Sequence, residues 1–315
     1  MAYTGLQLTD TVMMVKPIDF TFNEQTAADN EFQHKLADSS TNVTELVLQE
    51  FNNAVSLLKN HGINVLVLDY AASVTKTPDA VFPNNWISMH KSGTVFLYPM
   101  FAPNRRLETE RYPDVQRLML QNGKMILETK DLRSAAVDGH YLEGTGSVIF
   151  DHTNKIIYAS LSVRTNVEAL AELKDSLDYD RVIVFKSASS SGKEFYHTNV
   201  ILSIGDKHAI ICAEAIPDKE ERSWVVESLA KTHDVITISL EQTEKHFCGN
   251  SLQLVNSRGE KFIVMSENAL NAFTDSQKEQ LKPHGTLLGL SIPTIEYIGG
   301  GSARCMIAEV FLPKA

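Results

Sequence analysis

The sequence predicts an α/β protein built from five strand–strand–helix–strand (ββαβ) units closed into a ring. Three observations predict it. Apolar hairpins with turn-like centres recur along the chain. Each is followed by a helical pattern and then a short strand. The count reaches five when the first apolar strand pairs with the last. Self-similarity at a period of about 50–60 residues marks a repeat architecture. Pairing the first strand with the last removes open edges between units.

The elements follow in order. TVMMVKP (Thr11–Pro17) is a strand expected to pair with CMIAEVFLP (Cys305–Pro313). Phe20–Ser39 is polar and reads as a loop able to cover a central channel. Asn42–Asn60 reads as a helix, because Val43, Val47, Phe51, Ala54 and Leu58 fall on one face. His61-Gly62 supplies its stop, and INVLVLD follows as a strand. The hairpin Trp86–Pro99 leads to a helix over Pro113–Gln121 and a strand over Lys124–Glu128. The hairpin Ser147–Ala159 leads to a helix over Val167–Leu177 and a strand over Arg181–Lys186. Asn199–Ala213 leads to a helix over Pro217–His233 and a strand over Asp234–Ser239. Ser251–Met265 leads to a helix over Ser266–Leu281 and a strand over Thr286–Leu290. Each hairpin turn carries Gly, Asp or Asn, which tolerate turn geometry. No linker, low-complexity tract or charge block interrupts the chain, so residues 1–315 read as a single domain.

Composition narrows the function. The chain has 315 residues, 43% apolar and 22% charged, as in a soluble globular protein. A net charge of −10 argues against nucleic acid or an anionic membrane as partner. The three cysteines, Cys212, Cys248 and Cys305, form no CxxC pair and no zinc-type spacing with histidine. No disulfide framework and no metal are expected, and a reducing cytoplasm is the expected compartment. MAYTGLQLTD has neither a basic nor an apolar signal region, and no apolar run approaches a membrane span.

A closed ring brings its functional groups to the place where the units converge, so candidates should be scattered along the chain. They are DAVFPNNW (Asp79–Trp86), APNRR (Ala102–Arg106), YLEGTG (Tyr141–Gly146), SVRTN (Ser162–Asn166), YHTN (Tyr196–Asn199) and GGGSARCMIAEVFLP (Gly299–Pro313). Singly, each has an ordinary reading. A lone cysteine is usually a buried one. His197 is one of ten histidines, Glu143 could be solvated, the arginines could be surface charges, and Asn84-Asn85 could be a turn.

The combination and its order are specific. They resemble the guanidine-modifying hydrolase and amidinotransferase superfamily, whose pentein fold, an α/β-propeller, sets five ββαβ units around a central active site. The resemblance runs from about Thr11 to Pro313. DAVFPNNW is similar to the segment of dimethylarginine dimethylaminohydrolases and arginine deiminases that ends in an acidic substrate ligand. APNRR resembles their arginine-bearing loop, and LEGTG their acidic glycine turn. LSVRTN matches a run of the dimethylarginine enzymes. YHTN stands where the family has its histidine, and GGGSARC where it has its nucleophilic cysteine. The resemblance implies Cys305 as nucleophile, His197 as proton carrier and Glu143 as the acid that orients it. It implies substrate contacts from Asp79, Asn84, Asn85, Arg105, Arg164 and Asn199. The arginines would hold an α-carboxylate, with the choice between Arg105 and Arg106 left open. It calls for no metal or organic cofactor.

The departures from the family pattern speak about substrate. Asn85 and Asn199 stand where arginine-processing members present carboxylates, and Asn84 also replaces an acid; only Asp79 keeps a charge. Leaving a guanidinium buried and unpaired costs several kcal/mol. A ureido group is neutral, and an amide can donate to its carbonyl and accept from its N–H groups. The expected reaction is therefore hydrolysis of citrulline to ornithine, ammonia and carbon dioxide, as in a citrulline-utilisation subgroup that this chain resembles. Arginine deiminase, dimethylarginine hydrolase and amidinotransferase activities are the alternatives. A non-enzymatic pentein binding factor has no need of a converging cysteine, histidine and acid. The expected partner is a small amino acid; oligomeric state is left open, a homodimer included.

Overall fold

One pairing rule builds every sheet of the computed structural model, which describes residues 5–36, 42–70 and 76–314. Two strands pair antiparallel, as a hairpin in four of the five sheets and as β15 with β1 in the other, and a third returns after a helix to lie parallel to the second. The first unit has β1 (Thr11–Val15), α1 (Val43–Asn60) and β2 (Asn64–Leu68). The second has β3 (Ile87–Met89), β4 (Thr94–Leu97), α2 (Pro103–Arg106), α3 (Tyr112–Gln121) and β5 (Glu128–Asp131). The third has α4 (Gly144–Ser147), β6 (Val148–Asp151), β7 (Ile156–Leu161), α5 (Val167–Asp175) and β8 (Arg181–Lys186). The fourth has β9 (Leu202–Ile204), β10 (His208–Ile211), α6 (Lys219–Ala230) and β11 (Asp234–Thr237), then α7 (Leu240–His246). The fifth has β12 (Leu252–Val255), β13 (Lys261–Ser266), α8 (Glu267–Ala272), α9 (Asp275–Leu281) and β14 (Thr286–Leu290). After α10 (Pro293–Gly299), β15 (Ala308–Glu309) pairs antiparallel with β1, Met13 opposite Ala308. The described residues thus form five three-stranded sheets, each a ββαβ-like unit.

The helices pack their apolar stripes on the sheets. In α1 the buried residues are Val47, Phe51, Ala54, Val55 and Leu58, and the Asn42 side chain caps the Glu45 N–H. They meet Val12 and Met14 of β1 and Val65 of β2 in one cluster. The leading strands of neighbouring units touch: β15 meets β3, β6 meets β9, and β9 meets β12. The chain leads into those strands through turns, so this arrangement decides where the turns go.

Four boundaries differ from the sequence reading. The strand expected over Lys124–Glu128 pairs with β4 only from Glu128, because Lys124 bridges Lys314 and the Met125 N–H donates to the Pro313 carbonyl. The helix expected over Ser266–Leu281 breaks at Phe273, which turns extended into the core. Thr274 then opens α9 with a capping box to Gln277. Cys305 does not begin the last strand: Ala303–Met306 form a turn, and pairing starts at Ala308. The glycine run follows a helix, α10, that the sequence pattern did not signal. The covering loop packs as expected across the described part of Phe20–Ser39, whose residues 37–39 lie outside the described residues.

Candidate active site

Each unit enters its hairpin through a turn, and the five turns carry Asn85, Glu143 to Gly146, His197 to Asn199, Asn250 and Cys305. They pack backbone on backbone. A Cβ on Gly249 would lie 2.3 Å from the Val200 carbonyl oxygen, and one on Gly146 would lie 2.5 Å from Asn85 Nδ2 and 2.7 Å from His197 Nδ1. Glycine is required where chains approach this closely. Gly249→Ala is therefore expected to destabilise the fold by about 2 kcal/mol, through overpacking against backbone. A lower denaturant midpoint with unchanged slope is the check.

The acid and the base meet. His197 Nε2 donates to Glu143 Oε2 at 2.8 Å, both side chains being buried. Glu143 Oε1 accepts the Phe101 N–H at 3.0 Å, and Arg164 Nη1 donates to Oε2 at 3.4 Å. Burial alone would raise the Glu143 carboxyl, but Arg164, His197 and Arg105 together hold it well below the usual carboxylate range. An ionised Glu143 can only accept, so the neutral imidazole carries its proton on Nε2. Nδ1 is left with a free lone pair on the side of Gly146 and Asn85. Burial lowers the His197 pKa, and Glu143 pulls it back only in part. The resting histidine is a base.

The sulfur is held by amides. Asn199 Nδ2 donates to Cys305 Sγ at 3.4 Å and Asn250 Nδ2 at 3.3 Å. The Cys305 backbone N–H donates to the Ser302 carbonyl at 3.0 Å, fixing the turn. His197 and Cys305 line one narrow cavity with Asp79, Asn85, Arg105 and Arg164. The cavity has room for roughly one ordered water.

The arginines separate. Arg105 is buried; Nε and Nη2 grip Glu108 at 2.8 and 3.0 Å, and Nη1 donates to Asn85 Oδ1 at 2.7 Å. Arg106 points away, over the Tyr141 ring, donating to the Met100 and Phe101 carbonyls. Arg164 is forked onto Asp29 of the covering loop, at 2.6 and 2.8 Å. Asp79 Oδ2 accepts from Asn23 and Thr26 of the same loop, while its Oδ1 is buried without a partner. Burial raises the Asp79 carboxyl above its ordinary value. Asn85 Nδ2 and Asn199 Oδ1 are also buried without partners. Asn84 is buried with both amide atoms unpartnered, and neither Asn84 nor Asn199 stands in the cavity wall, so the substrate contacts expected of them are not on the described cavity surface. Gly299 and Gly301 face the Phe82 ring, and the Gly300 carbonyl accepts from Tyr196 and Asn30.

The profile of a family described as N,N dimethylarginine dimethylhydrolase, eukaryotic, matches residues 16–312. The chain belongs to that family. It is a family of hydrolases named for a guanidino substrate. The protein YkgA of Bacillus subtilis (strain 168), described as uncharacterized, is 25% identical over 297 residues, 93% of this chain and 89% of that one. Solved structures share the fold. ArgZ, an arginine dihydrolase from the ornithine–ammonia cycle in cyanobacteria, superposes with TM-score 0.72 at 16% identity. That match covers 97% of this chain and 41% of the ArgZ chain. A cysteine-to-serine variant of the ArgZ N-terminal domain, bound to substrate, gives 0.71 at 17% identity over 96% of this chain and 99% of that one. A histidine-to-glycine variant of dimethylarginine dimethylaminohydrolase, an adduct with S-methyl-L-thiocitrulline, gives 0.63 at 13% identity over 96% and 99%.

In this member of the family, sequence reasoning missed three groups at the site. Asn250, Asp29 and Glu108 touch Cys305, Arg164 and Arg105 respectively. Only Asn250 carried a signal: it ends the turn before the fifth unit's hairpin, the place that holds a candidate in the other units.

Proposed function

We propose that this chain is a single catalytic domain, its five units closed in a ring, that hydrolyses citrulline through a Cys305–His197–Glu143 mechanism. The observation carrying the substrate assignment is the free donor of Asn85 in the cavity wall, together with the free acceptor on the Asn199 amide that holds Cys305 Sγ. Asn85 Nδ2 is an unused donor and Asn199 Oδ1 an unused acceptor. Asn199 reaches Cys305 Sγ through its other amide atom. A ureido group offers one carbonyl oxygen to the first and N–H groups to the second. Asp79 and Arg164 share Thr26, through its hydroxyl and its carbonyl, so an anion and a cation stand together under the covering loop. That pairing suits an α-ammonium and an α-carboxylate.

The reaction balances as citrulline plus water giving ornithine, ammonia and carbon dioxide. Cys305 Sγ attacks the ureido carbon as its thiol proton passes to His197 Nδ1. The bond to the terminal nitrogen breaks, His197 protonates it, and ammonia leaves a thiocarbamate on sulfur. Water then adds with its proton passing to Nδ1, the C–S bond breaks, and the carbamate of ornithine loses carbon dioxide. Arg164 releases Asp29 when it takes the substrate carboxylate.

A second reading, hydrolysis of a guanidino substrate, is favoured by the family profile, by the arginine dihydrolase neighbours and by the free Oδ1 of Asp79. Ornithine, citrulline and ammonia release from citrulline, arginine and dimethylarginine separates the two. Citrulline is expected to exceed the others in kcat/KM by about 100-fold or more, the cost of an under-compensated guanidinium. Faster turnover of arginine or dimethylarginine overturns the assignment, and dependence on an amine acceptor indicates an amidinotransferase.

A further inference from the structure

We propose that Asn250 acts on the reacting sulfur: with Asn199 it forms a two-amide clamp that holds Cys305 as the anion needed for attack. This rests on the reading of Cys305 as the nucleophile, and on nothing about the substrate.

Asn250 is fully buried in the turn Phe247–Asn250, which the Asn250 N–H closes onto the Phe247 carbonyl at 2.8 Å. Its side chain joins the fifth unit to two others. Nδ2 donates to the Asn199 carbonyl at 3.1 Å and to Cys305 Sγ at 3.3 Å. Oδ1 accepts the Arg304 N–H at 3.0 Å and stands 3.7 Å from Sγ, where it can take the thiol proton's hydrogen bond. The same amide therefore fits both forms of the sulfur. It accepts from S–H and donates to S⁻. The second donor, Asn199 Nδ2, favours the anion alone. His197 cannot replace this clamp at rest, because its protonated nitrogen is committed to Glu143. The other charged and titratable groups on the cavity are Asp79, Arg105, Arg164 and Tyr196. Arg105 and Arg164 are themselves paired with carboxylates. An anion on sulfur thus depends on the amide donors.

A merely structural Asn250 would shape the turn and leave sulfur reactivity alone. Asn250→Asp is isosteric and keeps the acceptor for Arg304 N–H, but it replaces the donor by a negative charge. Asn250→Ser is smaller and retains one hydroxyl donor. Each folded variant is treated with iodoacetamide from pH 5.5 to pH 10, and the adduct at Cys305 is followed by peptide mass spectrometry. No substrate is present, so failure of the citrulline assignment leaves this test intact. Asn250→Asp is expected to slow alkylation at pH 7 at least 10-fold. Asn250→Ser should fall between it and the unaltered protein. With any substrate that turns over, the loss should appear in kcat and not in KM. Alkylation profiles that superimpose on that of the unaltered protein, for a variant whose thermal unfolding shows it folded, overturn the proposal.

Discussion

Cys305→Ala is expected to lower turnover by at least about 10⁴-fold while leaving the protein folded and able to bind its substrate. Cys305 is the one thiol among the residues that line the cavity. Cys212 and Cys248 are buried in the core of another unit, and burial pushes the Cys248 thiol up to about 12. Removing a nucleophile that acts with its base abolishes the contribution of the whole constellation. The fold should survive, because Sγ contributes one small side chain whose partners, Asn199 and Asn250, keep their other contacts: Asn250 still bonds the Asn199 carbonyl and the Arg304 N–H. The expected stability loss is about 1 kcal/mol. Product release measured beside a thermal unfolding curve checks both statements. Turnover persisting at a tenth of the original rate sinks the covalent mechanism. Full biological activity without turnover would instead support a binding factor.

What the sequence made legible follows from how local each determinant is. The strand Arg181–Lys186 and the strand Thr286–Leu290 stand as expected, because apolar pattern and flanking turns specify them within the segment. Helix α1 likewise begins and ends at local signals, Asn42 and His61. The misplaced elements answer to distant chain. Lys124 and Met125 are captured by Lys314 and Pro313, which no window around residue 124 contains. Phe273 leaves its helix because the core takes its ring, and Thr274 offers an alternative start. The site divides in the same way. The repeat marks the turns that hold Glu143, His197 and Cys305, and the resemblance to a known family is what singles these three out among them. Asn250 occupies the corresponding turn, but Cys-Gly-Asn reads as turn chemistry, and an amide is conspicuous only once a sulfur lies 3.3 Å from it. Asp29 was hidden for a different reason: in a polar loop nothing distinguishes the acid that reaches Arg164 from those that face water.

Glu143→Gln is expected to lower kcat by about 10³-fold and to cost about 3 kcal/mol of stability at neutral pH. The kinetic loss comes from the histidine. A glutamine can present its N–H to Nε2 as readily as its oxygen, so the neutral imidazole is no longer compelled to keep Nδ1 free. The carboxylate also stabilises the imidazolium formed when Nδ1 takes a proton, since Glu143 is what raises the His197 pKa against its burial. Loss of the equivalent charge in other triads costs about 10⁴-fold, the upper end of what is expected here. The stability loss comes from Arg164, buried and left with one carboxylate of two. Its pH dependence has a definite sign. The folded-state pKa of Glu143 lies below its ordinary value, so its charge stabilises the protein above the ordinary carboxylate range. That contribution is lost as pH falls below about 4 and the unfolded chain takes up the proton first. The variant has no proton to take up, so the gap between the two stability curves should be widest near pH 7 and should narrow towards pH 3. Denaturant midpoints measured at both pH values decide it. A gap that stays constant, or widens in acid, would mean that Glu143 is not ionised in the folded protein, and the assignment of the proton to His197 Nε2 would fall with it.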